Sequence, residues 1–138
     1  MKKIQMSVVV LVLLGSALSF AAENSAPCVV DMSSQIEMDV VAVSQILAQK
    51  GYVLNEGHGR SDIDLRIFME GDTSWSVMKD VNVFFTKENP TASEEARIYV
   101  GSKPGSLLWE SVNSSRALSL IKMIPSRAQL ARTGVNCN

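Results

Sequence analysis

Three segments in the middle of the chain alternate between apolar and polar side chains, a pattern typical of strands with one buried face. They run from Ile63 to Met69, from Trp75 to Thr86 and from Ala96 to Val100. Short polar stretches separate them, so we expect neighbouring strands to pair antiparallel. The segment from Leu107 to Val112 is either a fourth short strand or the lead into a helix.

A helical pattern precedes these strands. Apolar residues recur at three- and four-residue spacing up to Lys50, and Gly51 follows as a stop signal. Ser34 and Glu37 have the spacing of a capping box, so the sequence predicts a helix from about Gln35 to Lys50. Residues 22–30 are expected to form an irregular lead-in, and residues 52–54 are a candidate first strand.

A second helical pattern closes the chain. It begins near Ser114 or Ser115, either of which can cap a helix, and Pro125 interrupts it. Ser126 can cap a short further helix over residues 127–132. We therefore predict an α+β fold: a two-layer sandwich in which an N-terminal and a C-terminal helix cover one face of a three- to four-stranded antiparallel sheet.

The N-terminus has the pattern of a bacterial export signal. Lys2 and Lys3 precede a short apolar run, and Ser19 and Ala21 are small residues at the positions that a signal peptidase requires. We expect residues 1–21 to be cleaved, with Ala22 as the next best cleavage position. Residues 22–138 would then form one small domain in the periplasm or outside the cell, with no membrane contact after cleavage.

Two cysteines lie near the ends of that domain. Cys28 follows the signal segment, and Cys137 is the penultimate residue. An exported chain with two cysteines predicts one disulfide, here Cys28–Cys137. Pro27 and the polar residues before it argue against a lipid anchor on Cys28.

The charge of the chain limits its partners. Residues 1–21 carry two of the 13 basic residues and none of the 14 acidic ones, so cleavage would change the formal charge from −1 to −3. A mildly acidic domain lacks the positive charge on which nucleic-acid affinity rests, so no nucleic-acid partner is expected.

His58, the single histidine, lies in a polar loop that also carries Arg60 and Asp62. An imidazole can act as a general base near neutral pH. This loop is the basis for an alternative hypothesis, a small hydrolase or ligand-binding enzyme. No nucleophile motif accompanies His58, and its spacing to Asp62 and Asp64 matches neither a zinc nor a calcium site. We assign no catalytic residue, no metal ligand and no cofactor.

The strand alternation predicts a second sheet face, turned away from the helices, that carries apolar side chains among charged ones. The predicted interaction face comprises Phe68, Met78, Phe84 and Tyr99. Exposed apolar groups of this kind can form a binding surface. The sequence therefore favours a small exported, non-enzymatic binding protein of the bacterial envelope that contacts another envelope protein. Homodimerisation through an exposed strand edge is a further alternative.

Overall fold

The computed structural model describes residues 26–55, 59–71, 79–92 and 96–137. In these ranges the chain forms five strands and three helices. In chain order they are β1 (Val29–Ser34), α1 (Val40–Gln49), β2 (Val53–Leu54), β3 (Ile63–Glu70), β4 (Asp80–Lys87), β5 (Arg97–Pro104), α2 (Glu110–Ile121) and α3 (Arg127–Arg132).

The strands form one mixed sheet in the order β2-β1-β3-β4-β5. β1 pairs parallel with both β2 and β3, while β3–β4 and β4–β5 are antiparallel. The α+β fold is confirmed, but the prediction of three to four antiparallel strands is wrong. The difference is β1, whose first two residues fell in the predicted irregular lead-in. It lies inside the sheet and is followed by α1 and the parallel strand β2.

The first helix begins at Val40 rather than near Gln35, because the backbone N–H of Gln35 still donates to the carbonyl of Ile67 in β3 at 2.9 Å. Asp39 is the N-cap, and its carboxylate accepts a hydrogen bond from the backbone N–H of Ala42 at 3.2 Å. The predicted capping box of Ser34 and Glu37 is therefore wrong. Ser34 ends β1, and its hydroxyl accepts a hydrogen bond from the N–H of Ile36 at 3.0 Å.

The two longer helices run in the same direction across the sheet. Near their N-terminal ends, the hydroxyl of Ser114 in α2 donates to the carbonyl of Glu37 at 3.0 Å. Near their C-terminal ends, the hydroxyl of Tyr52, just after α1, donates to the carbonyl of Pro125, just after α2, at 2.7 Å. Tyr52 is almost fully buried, and this burial raises the pKa of its phenol, against a smaller opposing effect of Arg127.

The core lies between the helices and one face of the sheet. The buried alternate residues of β3 and β4 share a single cluster with the buried sides of all three helices. Its fully buried members include Val43, Leu47, Ile63, Leu65, Ile67, Val81, Val83, Phe85, Ala117 and Ile121. Burial of these aliphatic and aromatic groups, at roughly 25 cal/mol per Å² of apolar surface, is the main force that holds the helices on the sheet.

The predicted disulfide is confirmed. Cys28 and Cys137 are bonded across a sequence separation of 109 residues, with their Cα atoms 5.8 Å apart, and both are buried. A disulfide is typical of an oxidising, exported environment. The bond joins the residue before β1 to the end of the described chain.

The predicted signal segment, residues 1–21, lies outside the described residues and stays a prediction. Within the ranges that the structure describes, every helix is too short or too polar to cross a membrane.

Candidate interaction surface on the open sheet face

Strand register determines which side chains share the sheet face opposite the helices. Residues paired across strands point to the same side, so Arg66 of β3, Phe84 of β4 and Val100 of β5 form one row across the sheet. None of the helices in the described ranges covers this side, because their buried apolar residues all belong to the core on the other side. We call it the open face.

Two phenylalanines form the apolar centre of the open face. The rings of Phe68 and Phe84 are 5.1 Å apart between centroids and nearly perpendicular, at 80°. An edge-to-face pair of this kind contributes roughly 0.5–1.5 kcal/mol beyond the burial of its area. Both side chains remain partly exposed, so a ligand or partner can contact them.

An arginine stacks on each ring. The guanidinium carbon of Arg66 is 4.7 Å from the centroid of Phe68, and that of Arg97 is 4.6 Å from the centroid of Phe84. We call these four residues the Arg–Phe ladder. Each exposed cation–π contact contributes about 0.5–1 kcal/mol and orders a long side chain before any partner arrives.

The arginines of the ladder keep their hydrogen-bond donors available. In the part of the chain that the structure describes, Arg60 forms a salt bridge with Asp62 at 3.0 Å, whereas Arg66 and Arg97 form none. A guanidinium that lies flat on a ring still presents N–H donors at its edge. The ladder thus offers apolar contact and cationic hydrogen-bond donors side by side.

Tyr99 is not on the open face, so that part of the predicted interaction face is wrong. The register between β4 and β5 shifts at Phe85 and Thr86, so β5 carries one extra residue, Ile98. This bulge reverses the alternation. Tyr99 pairs with Phe85 and turns toward the helices, where its hydroxyl donates to the carbonyl of Leu120 at 3.0 Å. Burial raises the pKa of the Tyr99 phenol.

Val100 takes the outward position that the sequence assigned to Tyr99. Its side chain is 48% exposed, and it pairs with Phe84. Val100 could not be placed on this face from the sequence, because period-two alternation carries no signal for a single bulge. Gly101 beside it, a common residue near bulges, was the one available hint.

Met78 and His58 lie outside the described residues. The role of Met78 in the interaction face and the hydrolase hypothesis for the His58 loop therefore stay predictions.

One edge of the open face is acidic. Asp64 of β3 lies opposite Asp31 of β1 in the register. Partial burial raises the pKa of the Asp64 carboxyl, the nearby carboxylates of Glu88 and Asp31 raise it further, and Arg66 opposes them. The open face therefore changes from acidic at β1 to basic and aromatic at the ladder.

One further cluster of potential metal ligands has a structural explanation. Atoms of Cys28, Asp62 and Cys137 lie within 4.8 Å of one another, but both sulfurs belong to the disulfide. The Asp62 carboxylate accepts a hydrogen bond from the N–H of Val29 at 2.9 Å and one from Arg60 at 3.0 Å. These bonds bind the loop before β3 to the start of β1.

No protein-family model matches this chain, and no curated protein matches it. Two solved structures from Paraburkholderia phytofirmans are distantly similar. One is a dodecamer of a PelC variant, 16% identical with a TM-score of 0.37, and the match covers 70% of this chain and 82% of that one. The other is a PelC dodecamer, 18% identical with a TM-score of 0.35, and the match covers 73% of this chain and 92% of that one.

Proposed function

We propose that this chain is a small exported, non-enzymatic binding protein of the bacterial envelope that contacts another protein through its open face. The observation that carries the proposal is the Arg–Phe ladder. It exposes two aromatic rings and two guanidinium groups that form no salt bridge within the described residues, at the centre of a sheet face that no described helix covers.

The composition of the ladder matches that of protein interfaces. Aromatic residues and arginine are enriched at such interfaces and supply most of the residues that dominate binding energy. The cation–π contacts hold both arginines in place, so a partner would not have to order them on binding. The disulfide and the predicted export signal together support a location in the periplasm or outside the cell.

Replacing the aromatic pair tests the proposal. In cells, a photo-crosslinking residue at Asn82, which pairs with Phe68 on the open face, should form a discrete adduct with one partner. The variant Phe68→Ala with Phe84→Ala should reduce that adduct at least tenfold, because an aromatic anchor at the centre of an interface contributes about 2 kcal/mol or more. Both rings are only partly buried, so the variant should stay folded, as judged by circular dichroism.

Met123→Ala is the matched control, since Met123 is 64% exposed just after α2 and lies away from the open face. It should leave the adduct unchanged. A photo-crosslinker at Ala128 of α3, on the helical side, should give no such adduct. Equal adducts from both positions, or an adduct that survives loss of both rings, would contradict the proposal.

Self-association through the edge of the sheet is a second candidate. β5 is eight residues long and, among the described strands, pairs with β4 alone, so its outer edge is a candidate for pairing with another strand. Sedimentation velocity across a concentration series separates the two candidates, because a dimer would dissociate on dilution whereas an envelope partner would leave the isolated chain monomeric throughout.

A further inference from the structure

A second exposed apolar surface belongs to the helical layer rather than to the sheet face that carries the Arg–Phe ladder. It is formed by the start of α1 and by the turn before α2. Its members are Val40, Val41, Leu107, Leu108 and Trp109, which are 50%, 64%, 52%, 67% and 63% exposed. We call this surface the apolar end.

The parallel arrangement of α1 and α2 brings these residues together. Val40 and Val41 are the first two residues of α1, and Trp109 is the N-cap of α2. The hydrogen bond from Ser114, the fifth residue of α2, to the carbonyl of Glu37 joins α2 to the residues just before α1. Both groups of apolar residues therefore lie at the same end of the molecule, where β1 and β3 also end.

The turn that carries Leu107 and Leu108 is braced by hydrogen bonds. The buried amide of Asn113 accepts from the N–H of Ser106 at 2.7 Å and donates to the carbonyl of the same residue. The hydroxyl of Ser106 accepts from the N–H of Leu108 at 3.0 Å. The apolar side chains are thus presented outward by a held backbone, so little ordering is required when they are covered.

The exposed charges around the apolar end are all acidic in the part of the chain that the structure describes. They belong to Glu37, Asp39, Glu70, Asp80 and Glu110. The basic residues of this end, Lys79, Lys103 and Arg116, are only partly exposed, and the guanidinium of Arg116 donates to the carbonyl of Pro104. An apolar patch with an acidic rim is complementary to apolar groups flanked by positive charge.

We propose that the apolar end binds an amphipathic polypeptide segment whose apolar residues are flanked by lysine or arginine. Such a segment would cover the leucines and Trp109 and place its positive charges beside Asp39 and Glu110. An anionic bilayer is the poorer match, because the acidic rim would be repelled by the lipid headgroups. This surface is separate from the open face, and the proposal is independent of the function proposed above.

Isothermal titration with two synthetic probes tests the proposal. The first is an amphipathic peptide of about 18 residues, or five helical turns, built from leucine and lysine, and the second replaces every lysine by glutamate. The lysine peptide should bind and the glutamate peptide should not. Leu107→Ser with Leu108→Ser should weaken binding by about tenfold or more, since each leucine loses its apolar burial. In a Trp75→Phe background, the emission of Trp109 should shift to the blue on binding.

Two charge variants distinguish binding at the apolar end from a non-specific attraction of the lysine peptide to an acidic protein. Glu37→Gln with Glu110→Gln should weaken binding of the lysine peptide several-fold at low salt and reduce the salt dependence of that binding. Asp31→Asn with Glu88→Gln makes the same charge change at the other end of the sheet and should have little effect. Phe68→Ala with Phe84→Ala should bind the peptide normally, which keeps this test distinct from that of the open face.

Three results would overturn the proposal. Equal weakening by the two charge variants would mean that binding is not local to the apolar end. A shift of Trp109 emission with vesicles of phosphatidylethanolamine and phosphatidylglycerol, but not with the lysine peptide, would assign this surface to a bilayer. No response to either probe would show that the apolar end has no affinity for a basic amphipathic segment.

Discussion

At the scale of single residues, Asp64 occupies a site that disfavours its charged form. It is partly buried at the acidic edge of the open face, beside Glu88 and Asp31. The stacked Arg66 opposes these effects, but its guanidinium also lies over Phe68, at 4.7 Å from the ring centroid. The same arginine therefore supports the aromatic surface and reduces the electrostatic cost of the carboxylate next to it.

Asp64→Asn should raise the free energy of unfolding at neutral pH. The folded-state pKa of Asp64 is raised, so as pH rises above about 4, the usual carboxyl pKa, the unfolded state loses its proton first and becomes favoured. The wild type thus loses stability between the unfolded and folded pKa values, and the asparagine variant does not. Urea denaturation from pH 3 to pH 7 should show that the free energy of unfolding of Asp64→Asn exceeds that of the wild type by an amount that grows through this range.

The matched control is Asp80→Asn, because Asp80 is an exposed carboxylate at the opposite end of the open face. It should not reproduce the gain. A gain for Asp64→Asn that is equally large at pH 3 would refute the electrostatic explanation, since the wild-type carboxyl is protonated in both states there.

At the scale of elements, the connection from β5 to α2 passes close to β4 and to Asn113 at Gly105. A Cβ atom added to Gly105 would lie 2.6 Å from the Oδ1 of Asn113, 2.8 Å from the Cγ2 of Val81 and 2.9 Å from the carbonyl oxygen of Lys79. The N–H of Gly105 also donates to that carbonyl at 2.7 Å. Only glycine lets the chain pass this close to β4 while Asn113 keeps its hydrogen bonds to Ser106.

Gly105→Ala should therefore destabilise the domain by about 1–3 kcal/mol, the usual cost of overpacking a site that cannot relax. The displaced Asn113 would also loosen the turn that carries the apolar end, so the emission of Trp109 should change in the folded state. Thermal and urea unfolding measure the first effect, and fluorescence in a Trp75→Phe background measures the second.

Gly59→Ala is the control for this substitution, because nothing lies within 4 Å of a Cβ atom at that position. It should leave stability close to that of the wild type. If both alanine variants were equally stable, the close approach at Gly105 would be irrelevant to folding.

The elements that the sequence predicted correctly are those with a strong periodic signal. β3 and β4 alternate over eight residues each, and their buried faces match the expected apolar positions. β1 gave no such signal because its last residues are polar and exposed while its first two, Val29 and Val30, are both buried. A short parallel strand inside a sheet is recognised by its neighbours rather than by its own pattern.

The candidate site was predictable to the same extent. Phe68 and Phe84 follow from alternation within one strand each, and both lie on the open face as expected. Tyr99 could not be placed, because the bulge at Ile98 depends on how β5 pairs with β4. The arginines were expected on this face, but their stacking on the rings depends on the cross-strand register, which a single strand does not encode.

At the scale of the whole molecule, the two proposed surfaces have different positions and different charge. The open face carries cationic groups over aromatic rings, whereas the apolar end carries an acidic rim around aliphatic side chains and Trp109. A small domain with two such surfaces can hold two partners at once, provided that its fold stays rigid between them. The disulfide that joins the ends of the described chain contributes to that rigidity.

Replacement of both cysteines, Cys28→Ala with Cys137→Ala, should cost about 3–5 kcal/mol of unfolding free energy, because the bond closes a loop of about a hundred residues in the unfolded chain. Natural domains of this size are stable by only about 5–15 kcal/mol, so the variant should unfold at a much lower urea concentration. The wild type in reductant is the matched control and should unfold at a similar urea concentration to the double variant, since both lack the loop constraint. A loss below about 1 kcal/mol would mean that the unfolded chain is already compact enough to keep its ends together.

Binding assays on the double variant below its unfolding transition would then show whether the open face and the apolar end depend on the covalent link.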